Sequence, residues 1–308
     1  MTACSAIVLA GGDGTRLQPL TRDLTGDDRP KQFCPILGPL TLLEQTWQRV
    51  RLLVAPDRLL TVVTRRHERF YTPLLADAPP QSVVVQPDNR GTATAVVLGL
   101  LKLGTTAPDH PVVVLPSDHY VSDDTAFMAR VEAAFEAVLT RPDLIVLLGI
   151  APDRPEVEFG WIEPGALILH TGPWPLYRVS RFREKPRPSV AARLAQQGAL
   201  WNSFVIVARP SMLGRLIAHA LPHLVAAFAA GRARPAASWR DDVLHGVYAG
   251  LPPTDLSKRV FEPYPGSLTV LPVSGLDWTD LGDPARVLAA RARAAVGRAS
   301  ARALPVGA

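Results

Sequence analysis

The chain is 308 residues long, 47% of them hydrophobic and 20% charged, and it carries a formal net charge of +5. This length and composition are typical of a soluble globular protein with one large domain or two smaller ones. The sequence contains no RNA-recognition motif, helix-turn-helix or basic stripe interleaved with aromatic residues, so it predicts no nucleic-acid partner. Anionic substrates explain the basic excess as well.

The cysteine content and the apolar runs bear on the cellular compartment. Only Cys4 and Cys34 occur, which is too few for a disulfide framework and shows no metal-ligand spacing. The apolar N-terminal stretch has no basic region before it and runs into a glycine-rich loop, so it predicts a strand and not a signal peptide. No run of about 18 apolar residues is present. We therefore expect a cytoplasmic protein without a membrane partner.

Short β-rich runs alternate along the chain with helical patterns. The helical patterns place apolar residues three or four positions apart, at Leu43, Trp47, Val50 and Val54 and again at Phe127, Val131, Phe135 and Val138. Alternation of strands and helices predicts an α/β fold whose mostly parallel sheet is covered on both faces, with ligands bound beyond the carboxyl ends of the strands. The predicted strands are 6–9, 60–64, 82–86, 112–115, 144–149, 177–181, 204–208 and 268–272.

Proline-rich stretches interrupt the second half of the chain, where β-like segments outnumber helices. These stretches are 151–155, 172–175 and 186–188. They predict a β-rich insertion over the sheet edge that could cover a substrate. After residue 285 the sequence is rich in Ala and Arg, so we divide the chain into a main domain, 1–285, and a tail, 286–308, that forms a basic helix or stays solvated.

The loop after the first predicted strand is rich in glycine and contains one arginine. Gly11, Gly12 and Gly14 lack Cβ atoms, so the backbone can adopt positive φ and direct successive N–H groups at an anion. Arg16 adds a guanidinium group. The P-loop pattern is absent, and a dinucleotide fingerprint would need glycine where Leu17 stands. The loop predicts a site for a nucleoside triphosphate, the alternative being an ordinary turn.

Charged residues further along the chain could act on the same phosphates. Lys31 follows a proline and is close enough in sequence to the glycine loop to fold back over it, although an isolated lysine is most often a surface charge. Asp118 follows a buried-type strand, where a carboxylate is well placed to hold Mg²⁺ or, alternatively, to cap the next turn. Asp280 lies in a second acidic segment and could serve as a second metal ligand only if the fold brings it close to Asp118. For His119 a packing role is favoured over that of a base.

Other polar segments suit a nucleobase and a phosphorylated sugar. Gln86 can donate and accept hydrogen bonds at once, as the recognition of a base edge requires, and the nearby Gly91 lets a flat base approach the backbone. Segments 159–164, 183–186 and 200–203 offer carboxylates, an ammonium, an amide and aromatic walls. Esterase, thiol-redox and zinc-hydrolase motifs are absent.

Taken in order, these motifs resemble the sugar-1-phosphate nucleotidyltransferases, and within them the mannose-1-phosphate guanylyltransferases. The similarity extends over residues 3–285 and includes LAGGDGTRLQPLT, PKQF, QPDNRGTATA, PSDHYV, FGWIEPG, REKP and WTDLGDP. It implies a Rossmann-like three-layer nucleotidyltransferase fold with a mixed, mostly parallel central sheet and a β-rich sugar-binding insertion. It also implies that 1–285 is the catalytic domain, that GTP and mannose 1-phosphate are the substrates, and that Mg²⁺ is the cofactor.

The resemblance implies a role for each matching residue. Arg16, Lys31 and Lys185 would be catalytic, the first two on the departing pyrophosphate and Lys185 on the sugar phosphate. Asp118 and Asp280 would hold the metal. The nucleotide-binding residues would be Gly11, Gly12, Gly14, Thr15, Gln86 and Gly91, and the sugar-binding residues would be Gly160, Glu163, Glu184 and Asn202.

Two departures from the family pattern affect these expectations. The last position of the usual W-N-S-G is Phe204 here, so the sugar-side wall and the sugar itself can differ. The chain also stops soon after Asp280, with no room for the C-terminal β-helix or cupin-like region of many relatives. A homo-oligomer is compatible with the sequence but is not predicted by it. The alternatives are an enzyme for glucose 1-phosphate with UTP or dTTP, a non-catalytic homologue and a nicotinamide-dependent oxidoreductase.

Overall fold

The computed structural model of the protein describes residues 4–104, 109–232 and 241–303, and in these ranges the chain forms eleven strands and ten α-helices. The strands are β1 (Ser5–Leu9), β2 (Leu59–Thr64), β3 (Val83–Gln86), β4 (Val112–Pro116), β5 (Tyr120–Val121), β6 (Ile145–Ile150), β7 (Gly160–Thr171), β8 (Trp174–Glu184), β9 (Leu200–Ala208), β10 (Thr269–Val273) and β11 (Trp278–Thr279). The helices are α1 (Gln18–Thr25), α2 (Leu42–Val50), α3 (Glu68–Tyr71), α4 (Gly91–Leu103), α5 (Asp124–Thr140), α6 (Pro188–Gln196), α7 (Pro210–Ala220), α8 (Pro222–Arg232), α9 (Asp241–Ala249) and α10 (Pro284–Ala303).

Nine of the strands form one sheet in the order β3-β2-β1-β4-β9-β6-β10-β8-β7. The first four are parallel neighbours, and β10 is parallel to β6. β9 is antiparallel to β4 and β6, and β8 is antiparallel to β10 and β7. Only β8 and β9 are thus reversed relative to the rest. The sheet is mixed and mostly parallel, as the sequence predicts, and all eight predicted strands are present.

Both faces of the sheet are covered by helices. Successive residues of a strand point to opposite faces, so a strand that is apolar throughout has to be buried on both sides. In β1, Ala6 and Val8 pack in the apolar cluster that includes residues of α2 and α5, whereas Ile7 packs in the cluster of α4 and α7. The two predicted helical patterns correspond to α2 and α5. Helix α4 approaches β1 closely because Gly99 faces Ile7, where a Cβ atom would lie 2.9 Å from Ile7 Cγ2. This contact places the N-terminus of α4 near the end of β1.

The predicted β-rich insertion includes the hairpin β7–β8, which extends the edge of the same sheet. β7 also pairs with β9, through Trp161 and Trp201. The sequence does not predict β7, because Pro164 and Gly165 interrupt its alternating pattern. The strand accommodates them by shifting its register against β8 after Glu163.

Helix α10 begins directly after the second acidic segment. The predicted boundary at residue 285 lies in its first turn, and Val287 and Ala290 pack against Leu17 and Leu281 in a third apolar cluster. Residues 304–308 of the predicted tail lie outside the described residues. Over the described ranges no single helix is long and apolar enough to cross a membrane. Only α7 and α8, taken as a pair bent by 115°, together reach the length and the apolar composition that a membrane span needs.

Candidate active site

A cleft of about 530 Å³ opens where three parallel strands end. Leu9, Gln86 and Pro116 are the last residues of β1, β3 and β4, and all three line it. The carboxyl ends of parallel strands lie at one edge of a sheet, and the loops that follow them converge there. The cleft therefore lies at the edge where the sequence predicts ligand binding.

Most of the predicted site residues line this cleft. Those in its lining are Gly11, Gly12, Gln86, Gly91, Asp118, Gly160, Glu184, Asn202 and Asp280. Those outside the lining are Gly14, Thr15, Arg16, Lys31, Glu163 and Lys185. The lining also includes Thr254, Asp255 and Ser257, which sequence reasoning did not assign because no motif marks their segment.

Close packing and three side chains hold the glycine loop. A Cβ atom on Gly11 would lie 2.2 Å from Gln86 Nε2 and 2.8 Å from Thr64 Oγ1, so this position needs glycine because of close approach. Thr64 donates to the Gly11 carbonyl at 2.8 Å, and Gln32 Nε2 donates to the Gly12 carbonyl at 2.7 Å. The shape of the loop is thus set by the protein itself.

The side-chain amide of Gln86 has partners on both of its polar atoms. Nε2 donates to Thr64 Oγ1 at 3.0 Å, and Oε1 accepts from the Tyr248 hydroxyl at 3.3 Å. Burial raises the pKa of Tyr248, which keeps its hydroxyl protonated as a donor. An amide nitrogen carries two hydrogens, so one remains for a ligand. Gln86 supports the glycine loop, and its recognition of a base stays a prediction.

The N-terminus of α4 forms another part of the cleft. Gly91 has a φ of +81°, and a Cβ atom on it would lie 2.4 Å from the Thr254 carbonyl oxygen. The same carbonyl accepts from the N–H of Ala93 at 3.0 Å, and the Thr92 hydroxyl accepts from the N–H of Leu256 at 2.8 Å. These contacts attach the unassigned segment around Thr254 to the helix. The first N–H groups of a helix and its dipole attract anions.

Lys31 connects Asp118 and Asp280, which are far apart in sequence. Its Nζ lies 3.2 Å from Asp118 Oδ2 and donates to the backbone carbonyls of Asp280 and Leu281, the latter at 3.1 Å. Burial by itself would raise the pKa of the Asp280 carboxyl, but the charges of Lys31 and Arg286 are among those that outweigh it, and the pKa is lowered. The fold thus brings the two aspartates to one ammonium group, and Asp280 is ionised.

Arg286, from the first turn of α10, holds the Asp280 carboxylate in place. Its guanidinium donates to Asp280 Oδ1 at 2.7 Å, lies 2.9 Å from Glu156 Oε2 and lies 4.6 Å from the centre of the Phe159 ring. Only 9% of the side chain is exposed. Sequence reasoning missed this residue because it treated everything after 285 as a tail. A single arginine among the seven residues after WTD was the only signal available.

The opposite end of the cleft contains Glu184 and Asn202. A Cβ atom on Gly160 would lie 2.7 Å from Glu184 Oε2, so this glycine makes room for the carboxyl group. Burial, and after it the negative charge of Asp255, raise the pKa of Glu184 to about 7. The buried Asn202 donates to Ser257 Oγ at 3.4 Å. These groups can donate and accept hydrogen bonds to sugar hydroxyls.

Like Lys31, the other two predicted catalytic residues lie outside the lining of the cleft. Arg16 is 61% exposed and pairs at 3.0 Å with Glu158, which lines the cleft. Lys185 is exposed, with a φ of +48°. The predicted roles of Arg16 and Lys185 stay predictions.

Three predicted binding residues also lie outside the lining. Glu163 pairs with Arg183 at 3.3 Å. Thr15 lines a separate cavity of about 140 Å³, and Gly14, with a φ of +61°, forms the turn before it. The predicted contacts of these residues with sugar and nucleotide stay predictions as well.

His119 packs beside the aspartates. Its ring lies edge-on to Trp278, with centroids 5.0 Å apart, and its side chain is 13% exposed. Burial lowers the pKa of His119 to about 4, so the imidazole is neutral at neutral pH. Its Nε2 lies 3.7 Å from Asp118 Oδ1. This environment agrees with the predicted packing role.

Comparison with known families identifies the class of protein. The model of the family named Nucleotidyl transferase matches residues 5–295. The chain belongs to this family. It is 28% identical to a mannose-1-phosphate guanylyltransferase of Escherichia coli over 286 residues, which are 90% of this chain and 57% of that protein. It is 35% identical to the xanthan biosynthesis protein XanB of Xanthomonas campestris pv. campestris (strain B100) over 208 residues, 67% of this chain and 42% of that protein.

The chain spans about half the length of these curated relatives. A solved structure, named mannose-1-phosphate geranyltransferase from Thermus thermophilus, superposes with a TM-score of 0.75 and 35% identity. The match covers 91% of this chain and 77% of that one. Together these similarities confirm the resemblance and the fold that the sequence predicts.

The pair of aspartates, Asp118 and Asp280, has the chemistry of a hard-cation site. Gly282 and Arg286 both donate to Oδ1 of Asp280, and Oδ2 has no hydrogen-bond partner in the described part of the chain. Mg²⁺ prefers oxygen ligands and usually takes one or two protein carboxylates together with substrate phosphates. Across the described residues no three His, Cys, Asp or Glu side chains group as a metal site. Asp118 and Asp280 fit a cation that substrate phosphates help to bind.

Proposed function

We propose that this nucleotidyl transferase transfers the guanylyl group of GTP to mannose 1-phosphate, giving GDP-mannose and pyrophosphate. The observation that carries the proposal is one cleft that joins the glycine loop, the N-terminus of α4 and two aspartates connected by Lys31. Membership of the family supports the transfer of a nucleotidyl group. The names of the E. coli relative and of the Thermus structure support mannose 1-phosphate, and the E. coli name supports the guanylyl group.

In the proposed reaction an oxygen of the sugar 1-phosphate attacks the α-phosphorus of GTP. A new oxygen–phosphorus bond forms, the bond from the α-phosphorus to the oxygen of the β-phosphate breaks, and pyrophosphate leaves with the electron pair. A phosphate monoester is nucleophilic at neutral pH, so no activated serine or histidine is needed. The neutral, largely buried His119 agrees with this. Catalysis then depends on positioning and on neutralising charge.

Each charged group has a place in this scheme. Asp118 and Asp280 would hold Mg²⁺, which when bound supplies neutralisation of the phosphate charge. Lys31, already between them, would contact the departing pyrophosphate. Arg16 would leave Glu158 and also contact the departing pyrophosphate. Lys185 would approach the sugar phosphate from the side of the cleft.

The nucleotide half of the cleft supports a preference for GTP over ATP. Guanine presents O6 as an acceptor with N1 and N2 as donors, a pattern that adenine lacks. The remaining Nε2 hydrogen of Gln86 can donate to O6, and backbone groups near Gly91 can meet the other edge positions. A polar group left without a partner when adenine enters costs about 1–3 kcal/mol.

The test is a substrate panel read by pyrophosphate release. Mannose and glucose 1-phosphates are combined with GTP, UTP, dTTP and ATP, and we expect the highest kcat/KM for mannose 1-phosphate with GTP and at least about tenfold less with ATP. Equal use of GTP and ATP would overturn the guanine assignment. Turnover only with glucose 1-phosphate and UTP or dTTP would replace the proposal, and no turnover with any pair would favour a non-catalytic homologue.

Gln86 needs a matched control because it also supports the glycine loop. Gln86→Ala is expected to reduce the GTP-to-ATP ratio of kcat/KM. Thr64→Val removes the hydroxyl that bonds Gln86 and Gly11 but leaves the amide in place, so it should weaken both nucleotides alike. A GTP preference untouched by Gln86→Ala would keep the assignment and exclude Gln86 as its source.

A further inference from the structure

Phe204 has an unusual backbone conformation at the edge of the cleft. Its φ is +59°, in the left-handed region that favours glycine and is costly for a bulky residue. The structure therefore keeps an aromatic side chain at a position where glycine would fit without strain. Such strain persists in proteins where surrounding contacts impose it and is concentrated at functional sites.

Two buried polar side chains impose this conformation. Asn202 Oδ1 accepts from the N–H of Phe204 at 3.1 Å, and Ser203 donates from its hydroxyl to the Leu148 carbonyl at 2.7 Å. The pairing of β6 with β9 shifts register at this point. A β-bulge re-aims the side chain that it carries. The bend at Phe204 is thus specified by its neighbours and directs the ring.

Phe204 lines the cleft and is partly buried against the apolar cluster that includes residues of α4 and α7. β4 pairs antiparallel with β9 through Val114 and Ile206, so Pro116 and Phe204 both lie two residues beyond this pair, and both line the cleft. Asp118 follows Pro116 by two residues. Asn202 precedes Phe204 by two residues and lines the same wall. Phe204 thus lines the cleft beside Asn202 of its own strand and opposite the strand end that leads to Asp118.

We infer that Phe204 is a specificity-determining residue for the sugar 1-phosphate, an inference that rests on the proposed function. One face of a hexose presents C–H groups that pack against an aromatic ring, while a bulky substituent on the sugar has to share the space that the ring fills. Phe204 therefore favours hexose 1-phosphates that carry only hydroxyl groups over N-acetylhexosamine 1-phosphates.

The experiment separates the ring from the backbone strain. Phe204→Gly removes both, Phe204→Ala removes the ring and retains the positive φ, and Phe204→Tyr retains the ring. For each protein we measure kcat/KM with GTP for mannose 1-phosphate and N-acetylglucosamine 1-phosphate, together with Tm. We expect the mannose preference to fall at least tenfold in the Gly and Ala variants and to persist in the Tyr variant. Tm should be higher for Phe204→Gly than for Phe204→Ala, because only glycine relieves the strain.

Asp109→Gly is the matched control, because Asp109 also has a positive φ, +50°, and lies outside the cleft lining. It should leave the sugar preference unchanged. A preference that stays within threefold of wild type in both ring-deleted variants would overturn the inference, since it would make Phe204 structural only.

A second measurement keeps the inference distinct from the proposed function. Dissociation constants of the two sugar 1-phosphates, measured by calorimetry without GTP, give the same ratio in the absence of turnover. Wild-type protein that transfers no nucleotide but binds mannose 1-phosphate at least tenfold more tightly, with this ratio lost in Phe204→Ala, would refute the function and support the role of Phe204. Equal binding ratios in wild type and Phe204→Ala would refute that role.

Discussion

The two halves of the cleft differ in how their shape is maintained. On the nucleotide half, the glycine loop and the start of α4, a Cβ atom on Gly91 would clash with the backbone of Thr254, and one on Gly11 would have to displace the side chains of Gln86 and Thr64. On the sugar half, Glu184 carries a raised pKa and Phe204 a positive φ. One half is packed and hydrogen-bonded around its backbone, and the other retains a strained residue and a carboxyl group whose pKa is raised by burial.

The difference follows from what each half has to bind under the proposed function. Phosphates and a base are recognised by fixed N–H groups, whose value depends on being oriented before the ligand arrives. Sugars differ in the direction and substitution of a few hydroxyls, so the groups that distinguish them are side chains. Strained residues and perturbed pKa values are concentrated where side chains serve a ligand and not the fold.

The largest expected effect is at Asp280, one of the two carboxylates proposed to hold the cation. Asp280→Asn removes a charge that this proposed role requires, and we expect kcat to fall on the order of 10² to 10³. Asp283→Asn is the control, because Asp283 pairs with the same Arg286 at 2.9 Å but lies outside the cleft lining. Pyrophosphate-release kinetics over a range of Mg²⁺ concentrations measure both. A loss of kcat of less than threefold for Asp280→Asn would refute the proposed role of Asp280 in catalysis.

The raised pKa of Glu184 on the sugar half should make the free energy of unfolding depend on pH. The pKa of Glu184 rises from its ordinary 4.5 to about 7 in the folded protein, so the folded state binds a proton that the unfolded state has lost. The stability from this proton is complete below about pH 4.5 and declines as the pH rises through about 7, by at most about 3 kcal/mol. Urea unfolding at a series of pH values should show the decline in wild type and its loss in Glu184→Gln.

Glu163→Gln is the matched control for that experiment. Glu163 pairs with Arg183 outside the cleft lining, so its replacement should leave the decline of the free energy of unfolding as in wild type. An identical pH dependence in wild type and Glu184→Gln would show that the sugar half holds no such carboxyl group.

The nucleotide half should respond to added volume. Gly91→Ala would place a Cβ atom 2.4 Å from the Thr254 carbonyl oxygen at a φ of +81°, and we expect it to lower the free energy of unfolding by about 1–3 kcal/mol and to raise the KM for GTP. Gly12→Ala meets nothing within 4 Å and should leave stability unchanged. Equal stabilities of the two variants would contradict the tight packing of this half.

The smallest effect is expected at the exposed pair between Arg16 and Glu158. Glu158→Gln frees Arg16 for the triphosphate, and because an exposed ion pair contributes at most about 1 kcal/mol, the KM for GTP should fall by no more than about fivefold with little change in Tm. Arg16→Ala should instead lower kcat. A raised KM in Glu158→Gln would mean that the pair orders the cleft and does not compete with the nucleotide.

Much of the nucleotide half could be predicted from the sequence, because its signals are local. Apolar runs followed by glycine or aspartate indicate a buried strand and the loop at its end, as at Gly11 and Asp118. The same approach missed β7, whose proline and glycine interrupt the alternation, and it missed Tyr248, which lies 162 residues from the Gln86 amide that it contacts.

The eight predicted strands and the two predicted helical patterns follow from local sequence, since they depend on side-chain periodicity and on the backbone freedom of a few glycines. Which segments contact one another depends on the tertiary structure. Lys31 donates to a carbonyl 249 residues away, and Arg286 joins α10 to a carboxylate and an aromatic ring of the segment that precedes β7. Such contacts depend on the order of strands in the sheet and on how helices pack against it, and no local pattern encodes a distance between residues so far apart.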